Sequence, residues 1–282
     1  DIKKVSLKKS KKNLKKIKFH KADITSLKSL LGLKIKKNSV LLHCAGQPSA
    51  ALSFKDPKGD VEKNIIGMVN IINFSKKKNI KKIIFASTFN VYKENSRSPR
   101  LSENDECKPK SLYGISKFAA ENYLQIYSEH LGIKWNILRM FNIYGPGQDP
   151  NNKNLGMINI FLNMARKNSK IIVKGSLKRF RDFIYVDDVI DAWYKITLDR
   201  NHFNQIFNLG TGIKVNIKQL FQIFRIVLKK EISVKEIKGT PGDFMGCYAN
   251  INKIERNLKF KSKTNLLDGL KNFNDWLVKN NY

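Results

Sequence analysis

The segment SLYGISK sets Tyr113 and Lys117 four residues apart. On a helix that spacing puts both side chains on one face, about one turn from each other. A lysine ammonium so placed favours the phenolate and draws the tyrosine down from its usual ~10 towards the range of a general base. The same spacing also suits an ordinary surface pair. Upstream, the apolar run in IIFASTFNVY ends in Ser87 and Thr88. A hydroxyl at such a strand end could share a hydrogen bond with a substrate hydroxyl that the tyrosine deprotonates; the alternative is a strand capped by Ser and Thr at a turn. Cys44, Cys107 and Cys247 lie far apart with no CxxC spacing. They point to neither a zinc cluster nor a disulfide framework, and no metal is expected; a reducing, cytoplasmic setting fits.

The elements that must carry these residues show in the hydropathy pattern. Short apolar runs rich in β-branched residues alternate with longer segments of helical period, the pattern of βαβ units and a parallel sheet. The strand candidates are IKFHKADI, SVLLHCAG, KKIIFAST, KWNILRMFNIYG and QIFNLG, while residues 60–77, 113–130 and 186–198 read as helices. Most of these strands end in small or polar residues, which places the site along the carboxyl edge of the sheet. The stretch GPGQDPNNK then breaks the alternation. Two lobes are expected: residues 1–145 with 182–212 around the sheet, and residues 146–181 with 213–282 as a smaller lobe. QIFNLG returns to the main sheet between the two parts of the smaller lobe, and a cleft separates the lobes.

A chain of 282 residues can bury a substantial core. It has no apolar run of the ~18 residues that a membrane-spanning helix needs and opens on no signal-peptide pattern, so a soluble protein with no membrane partner is expected. The net charge of +31 would ordinarily suggest nucleic acid or an anionic surface, because lysine-rich faces release counterions from polyphosphates. Here lysine, asparagine and isoleucine recur in every segment, and the densest lysine run, residues 3–18, has no aromatic to stack bases. A solvated lysine face accounts for the charge, and no nucleic-acid partner is expected. The reading from another class is a basic nucleic-acid or surface-binding protein on a retired enzyme fold.

Around YGISK and FASTFNVY, further motifs follow in order: ADI (22–24), HCAGQPS (43–49), NIIGMVN (64–70), LRMFNIYGPGQ (138–148), RFRDFIYVDDV (179–189), NLGTG (208–212) and PGD (241–243). With them the chain resembles the extended short-chain dehydrogenase/reductase family, and within it the NAD-dependent nucleotide-sugar epimerases and dehydratases of UDP-glucose 4-epimerase type. The resemblance implies an α/β fold, a Rossmann-like doubly wound parallel sheet with a smaller C-terminal substrate-binding lobe. It also implies NAD as cofactor, a UDP-linked nucleotide sugar as substrate, and a homodimer with helices such as 60–77 and 113–130 as contacts.

By the same resemblance, Tyr113 is the base that takes a proton from a sugar hydroxyl while hydride leaves that carbon for the nicotinamide. Lys117 holds the nicotinamide ribose and keeps the tyrosine ionised; Thr88 orients the sugar hydroxyl. The keto-sugar turns within the site and the hydride returns to its other face. Implied cofactor contacts fall on Asp23 and Ile24 near the adenine, the turn at Ala45 and Gly46, Asn64, Ser87, and Phe141 beside the nicotinamide. Arg181 and Asn142 match diphosphate-binding positions, where guanidinium and amide donors suit paired phosphate oxygens. For Arg181 the competing account is a salt bridge to Asp182 or Asp187. Asp243 matches the position that accepts from the nucleotide ribose.

The chain also departs from the family pattern. No GxxGxxG follows a strand anywhere in it, and without that loop NAD binds poorly. The expectation is a chain trimmed of its first βαβ unit and for that reason inactive as it stands, with Asp1 falling where the family places the acid that reads the adenosine ribose. Thr88 is followed by Phe89 and Asn90, where sugar 4,6-dehydratases carry Asp-Glu. Neither residue can serve as acid or base, which favours epimerisation over the alternatives, a dehydratase or a reductase of a related nucleotide sugar. Thr240 stands where the family often has an arginine reaching a phosphate. Cys247 matches a position where a larger tyrosine narrows the sugar pocket in some epimerases, so N-acetylhexosamines are expected as substrates beside hexoses, with inversion at C4.

Overall fold

The structure, a computed structural model, describes residues 17–95, 98–152, 156–168, 170–239 and 245–282. Four parallel strands form its centre, in the order Val40–His43, Lys82–Thr88, Lys134–Met140 and Gln205–Leu209. Every residue of Lys82–Thr88 is buried, as an inner strand covered on both faces requires. Ile83 and Phe85 pack with the helices Gly67–Lys77 and Leu112–His130; Ile84 and Ala86, pointing the other way, pack with Val186–Leu198. This is an α/β fold, a parallel sheet with helices on both faces, and QIFNLG joins it as expected.

Three sequence expectations change in detail. IKFHKADI forms no strand: Ile17 and Phe19 are 51% and 53% exposed. Lys18, His20 and Lys21 alternate with the apolar residues there, and a strand covered on both faces would have to bury those charges without partners. KWNILRMFNIYG divides at Phe141. The Phe141 N–H still donates to the Leu209 carbonyl of the central sheet, but the Asn142 N–H donates to the Asp182 carbonyl, and Asn142–Tyr144 pairs in parallel with Phe183–Tyr185. Residues 60–77 are helical throughout but not uniform: Pro57–Val61 runs through a π-helical turn, Glu62–Ile66, into Gly67–Lys77. Such turns widen the helix locally and rotate the side chains on them, and this one carries Asn64.

A second core gathers the helices Met157–Lys167, Ile217–Leu228 and Leu266–Lys279 over the parallel pair Lys170–Lys174 and Ser233–Ile237. Ile217, Leu220, Phe221 and Phe224 recur at helical spacing and are buried there. The helix Asn252–Leu258 does not join this second core. Its Ile254 and Leu258, with Phe260, lie in the sheet core beside Phe207 and Val189.

Candidate active site

The helix Leu112–His130 is started by Ser111, whose hydroxyl accepts from the Gly114 N–H at 3.0 Å, and is fixed from outside by Ser53, whose hydroxyl accepts from the Tyr113 N–H at 3.0 Å. These anchors turn Tyr113 and Lys117 towards the carboxyl end of the Lys82–Thr88 strand. Both are buried, at 9% and 6% exposure. The Lys117 ammonium lies 4.0 Å over the ring of Phe85, which is itself stacked on His43.

The electrostatics differ from the simple expectation of an ammonium pulling the phenol down. Burial pushes Tyr113 up to about 12, a hydrogen bond with Thr88 pulls against that shift, and the Asp60 carboxylate adds to it. Burial pushes Lys117 down to about 7, opposed by Glu121, Cys44 and Asp60. Desolvation is the larger influence on both groups, and among the described residues Lys117 forms no salt bridge.

Thr88 caps the 3₁₀ turn Phe89–Val91. Its Oγ1 accepts from the Asn90 N–H at 3.2 Å and from Asn90 Nδ2 at 3.0 Å. The neighbouring Ser87 is committed elsewhere: its hydroxyl donates a short hydrogen bond to Glu121, one turn beyond Lys117. Glu121 in turn receives Arg139 through Nη2 at 2.7 Å and through Nε at 3.1 and 3.2 Å, all fully buried. Arg139 also lies 4.7 Å from the ring centroid of Tyr92, whose hydroxyl donates to Asn208.

The turn after the first sheet strand is built on Asn64. Its Oδ1 accepts from the Gln47 N–H at 2.9 Å, and its Nδ2 faces Gln47 O, Asp60 Oδ1 and Ser116 Oγ at 3.2, 3.1 and 3.0 Å. Gln47 Nε2 donates to the same Asp60 oxygen at 2.7 Å. A side chain on Gly46 would begin 2.7 Å from Asn64 Oδ1, so only glycine lets the turn close on this amide. Ala45 and Gly46 are exposed above it. Asp23 is exposed and accepts from the N–H and hydroxyl of Thr25, which hold its carboxyl below the usual range. The Ile24 carbonyl receives Asn70 Nδ2.

On the far side, Arg181 is buried in the short strand Phe180–Arg181, donates from Nη1 to the Phe180 carbonyl at 2.7 Å, and is pushed down to about 10 by burial. The competing account for Arg181 is a salt bridge to Asp182 or Asp187; the Asp182 carboxylate accepts from Thr211, Gly212 and Ala249. Asn142 Nδ2 donates to the Asp182 carbonyl at 3.1 Å. The Phe141 ring turns into the core and stacks on Phe89. Cys247 is 2% exposed beside Arg181, and burial pushes its thiol up to about 12. Asp1, Asp243 and Thr240 lie outside the described residues.

The structure thus brings Thr88, Tyr113, Lys117, Ser87 and Asn64 to one edge of the sheet. Sequence reasoning did not single out Gln47, Asp60, Ser116, Glu121 or Arg139. One signal was available: an arginine inside the apolar run ILRMF of a buried strand demands a buried partner. A nicotinamide ribose is matched by the donor set, since among the described residues the buried Lys117 ammonium donates no hydrogen bond and has only the Phe85 ring beneath it. No group of three or more His, Cys, Asp or Glu among the described residues could hold a metal ion.

A family model described as "NAD dependent epimerase/dehydratase family" matches residues 2–210. The putative UDP-glucose 4-epimerase of Methanocaldococcus jannaschii is 34% identical over 267 residues, which is 94% of this chain and 86% of the relative. The solved structure of Thermotoga maritima UDP-glucose 4-epimerase with UDP-glucose is similar at a TM-score of 0.86 and 29% identity, covering 97% of this chain and 90% of that one. For the Thermus thermophilus UDP-glucose 4-epimerase in complex with NAD, the TM-score is 0.85 at 26% identity, over 96% and 89% of the two chains.

Proposed function

The chain belongs to the NAD dependent epimerase/dehydratase family, and from that premise we propose that it is an epimerase of nucleotide sugars, inverting C4 of a UDP-linked hexose or N-acetylhexosamine. The observation that carries this reading is the buried constellation of Thr88, Tyr113 and Lys117 with an amide, Asn90, beside the threonine in place of a carboxylate. Bound NAD supplies a nicotinamide able to take up and return a hydride. Tyr113 takes the proton of the sugar hydroxyl at its phenolic oxygen, Thr88 fixes that hydroxyl, and Lys117 holds the nicotinamide ribose. Burial of all three keeps water from competing for the proton.

Asn64, Gly46, Ala45, Ser87, Asp23, Ile24 and Phe141 form the cofactor side in this reading, and Arg181, Asn142 and Cys247 the sugar-nucleotide side. The sheet lobe then carries the cofactor, and the nucleotide lies between that lobe, through Asn142 and Cys247, and the segment that holds Arg181. The protein acts as a homodimer through the helices of residues 60–77 and 113–130. An apolar surface groove of about 620 Å³ between them, lined by Val69, Tyr123, Ile126 and Tyr127, supports that. No helix among the described residues is long and apolar enough to cross a membrane, and the three free cysteines suit the cytoplasm.

The test is ¹H NMR of the protein with added NAD and a panel of UDP-hexoses and UDP-N-acetylhexosamines. An isomeric product without net consumption of coenzyme is expected, and Tyr113→Phe abolishes it. Stoichiometric oxidation of NADPH, or a dehydrated keto-deoxy product, refutes the reading.

A further inference from the structure

Asp60 is 1% exposed and stands at the junction of two hydrogen-bond routes that both end on the backbone of Tyr113. On the first, its Oδ1 accepts from Asn64 Nδ2 at 3.1 Å; that Nδ2 also faces Ser116 Oγ at 3.0 Å, and Ser116 donates to the Tyr113 carbonyl at 3.1 Å. On the second, the same Oδ1 accepts from Gln47 Nε2 at 2.7 Å, and Gln47 holds both the N–H and the carbonyl of Ser49. Ser49 caps the helix Ala50–Lys55, and Ser53 on that helix takes the Tyr113 N–H. We propose that Asp60 is a positioning residue: it fixes the amides of Gln47 and Asn64 in one orientation, and so sets the cofactor turn at Ala45 and Gly46 against the helix that carries Tyr113. This rests on that turn being the cofactor side of the proposed epimerase.

The oxygen and the NH2 of a carboxamide have nearly the same shape, so a buried Asn or Gln keeps one orientation only where its neighbours demand it. A carboxylate demands it, because it only accepts. With Nδ2 held at Asp60, Asn64 presents Oδ1 to the Gln47 N–H at 2.9 Å. Turned over, the amide would set its NH2 against that N–H and its oxygen against the carboxylate, two repulsive contacts. The same Oδ1 lies 2.7 Å from where a side chain on Gly46 would begin, so the path of the turn follows the amide. An amide oxygen accepts twice, and its second lone pair enters none of these bonds, which leaves Asn64 able to meet the cofactor.

Asp60 lies on Pro57–Val61 and Asn64 four residues on, in the π-helical turn Glu62–Ile66, which puts both side chains on the face turned to Gln47 and Ser116. Among the described residues the hydrogen-bond partners of Asp60 are these two amides. Burying a carboxylate against amides costs stability. That cost falls where the cofactor turn, Asn64 and the catalytic helix meet.

The experiment compares Asp60→Asn with Asp60→Leu in the full chain. Both remove the charge. The first keeps an oxygen that accepts from both amides, while the second branches as aspartate does and accepts nothing, so the difference between them isolates the acceptor. Hydrogen exchange of the Gln47 N–H is followed by ¹H–¹⁵N NMR, and NAD binding by calorimetry. Asp60→Asn is expected to exchange as the native chain does; in Asp60→Leu exchange is about tenfold faster and NAD binds about tenfold more weakly than in Asp60→Asn, the loss of about one buried hydrogen bond. Asp60→Ala, which also accepts nothing, is read in the same way if Asp60→Leu does not fold. Equal exchange or equal NAD affinity in the two variants overturns the proposal. So does an Asp60→Leu protein that is less stable to urea yet binds NAD as tightly as Asp60→Asn, since Asp60 then supports the fold alone. Neither measurement needs a sugar, so the result stands whether or not epimerisation is found.

Discussion

The carbonyl oxygen of Asn90 occupies the space where a side chain on Gly114 would begin, and a Cβ there would also come 2.8 Å from Pro109. Glycine at this position lets the start of the Leu112–His130 helix close on the Phe89–Val91 turn, which brings Tyr113 to Thr88. Inside a helix, glycine to alanine ordinarily stabilises by up to ~1 kcal/mol. Here the sign reverses: Gly114→Ala is expected to cost ~1–3 kcal/mol in urea unfolding through overpacking. A shift of about 1 Å between the two side chains lowers kcat roughly a hundredfold. Unchanged kcat would show that the base does not depend on this closure.

Lys117 is costly to the fold and its pH dependence has a definite sign. Burial lowers it from the ordinary 10.5 to about 7. Below pH 7 the side chain is charged in both folded and unfolded states and the burial penalty is complete. Between pH 7 and 10.5 the folded protein releases the proton while the unfolded chain keeps it, so stability rises with pH across that window. Lys117→Met is therefore expected to stabilise the protein by ~3–5 kcal/mol at pH 6 and to flatten the rise towards pH 10, while removing activity. Urea unfolding at pH 6 and 9.5 measures both, and a destabilised variant at pH 6 would contradict the assignment.

How much of this was legible beforehand depends on how local each feature is. Tyr113 and Lys117 were readable because one helix sets their spacing, and Thr88 because it ends a fully buried strand. IKFHKADI has the apolar residues of a strand, but its interleaved charges forbid two-sided burial. Ser87 carried a family role that its hydrogen bond to Glu121 does not suggest, since that partner lies 34 residues away. The Asp60, Gln47 and Asn64 network was invisible for the same reason: its pairs meet only when the turn after the first strand folds back on the π-helical turn.

Glu121 and Arg139 make one unit, and variants should separate its parts. Glu121→Gln leaves a buried guanidinium with half its partner and is expected to cost ~3–5 kcal/mol; Arg139→Met alone strands the carboxylate and costs a similar amount. The double variant Glu121→Leu with Arg139→Met removes both charges and should recover most of that loss. Because Glu121 also opposes the downward shift of Lys117, the double variant is expected to refold well yet to move Lys117 lower still. Thermal unfolding with ¹⁵N-lysine NMR reads the two effects apart, and additive losses in the double variant would mean that the residues act independently.

Cys247 sits between the sheet core and Arg181, buried and small. Where it bounds the sugar pocket, as proposed, a tyrosine there takes up space that an N-acetyl group would fill. Cys247→Tyr is then expected to lower kcat/KM for UDP-N-acetylhexosamines about tenfold more than for UDP-hexoses, since a lost fit of that size is worth ~1–3 kcal/mol. Overpacking damages both activities alike, so the ratio isolates the pocket from the fold. An unchanged ratio would place Cys247 in the core alone and leave the acceptance of N-acetylhexosamines without a structural basis at this position.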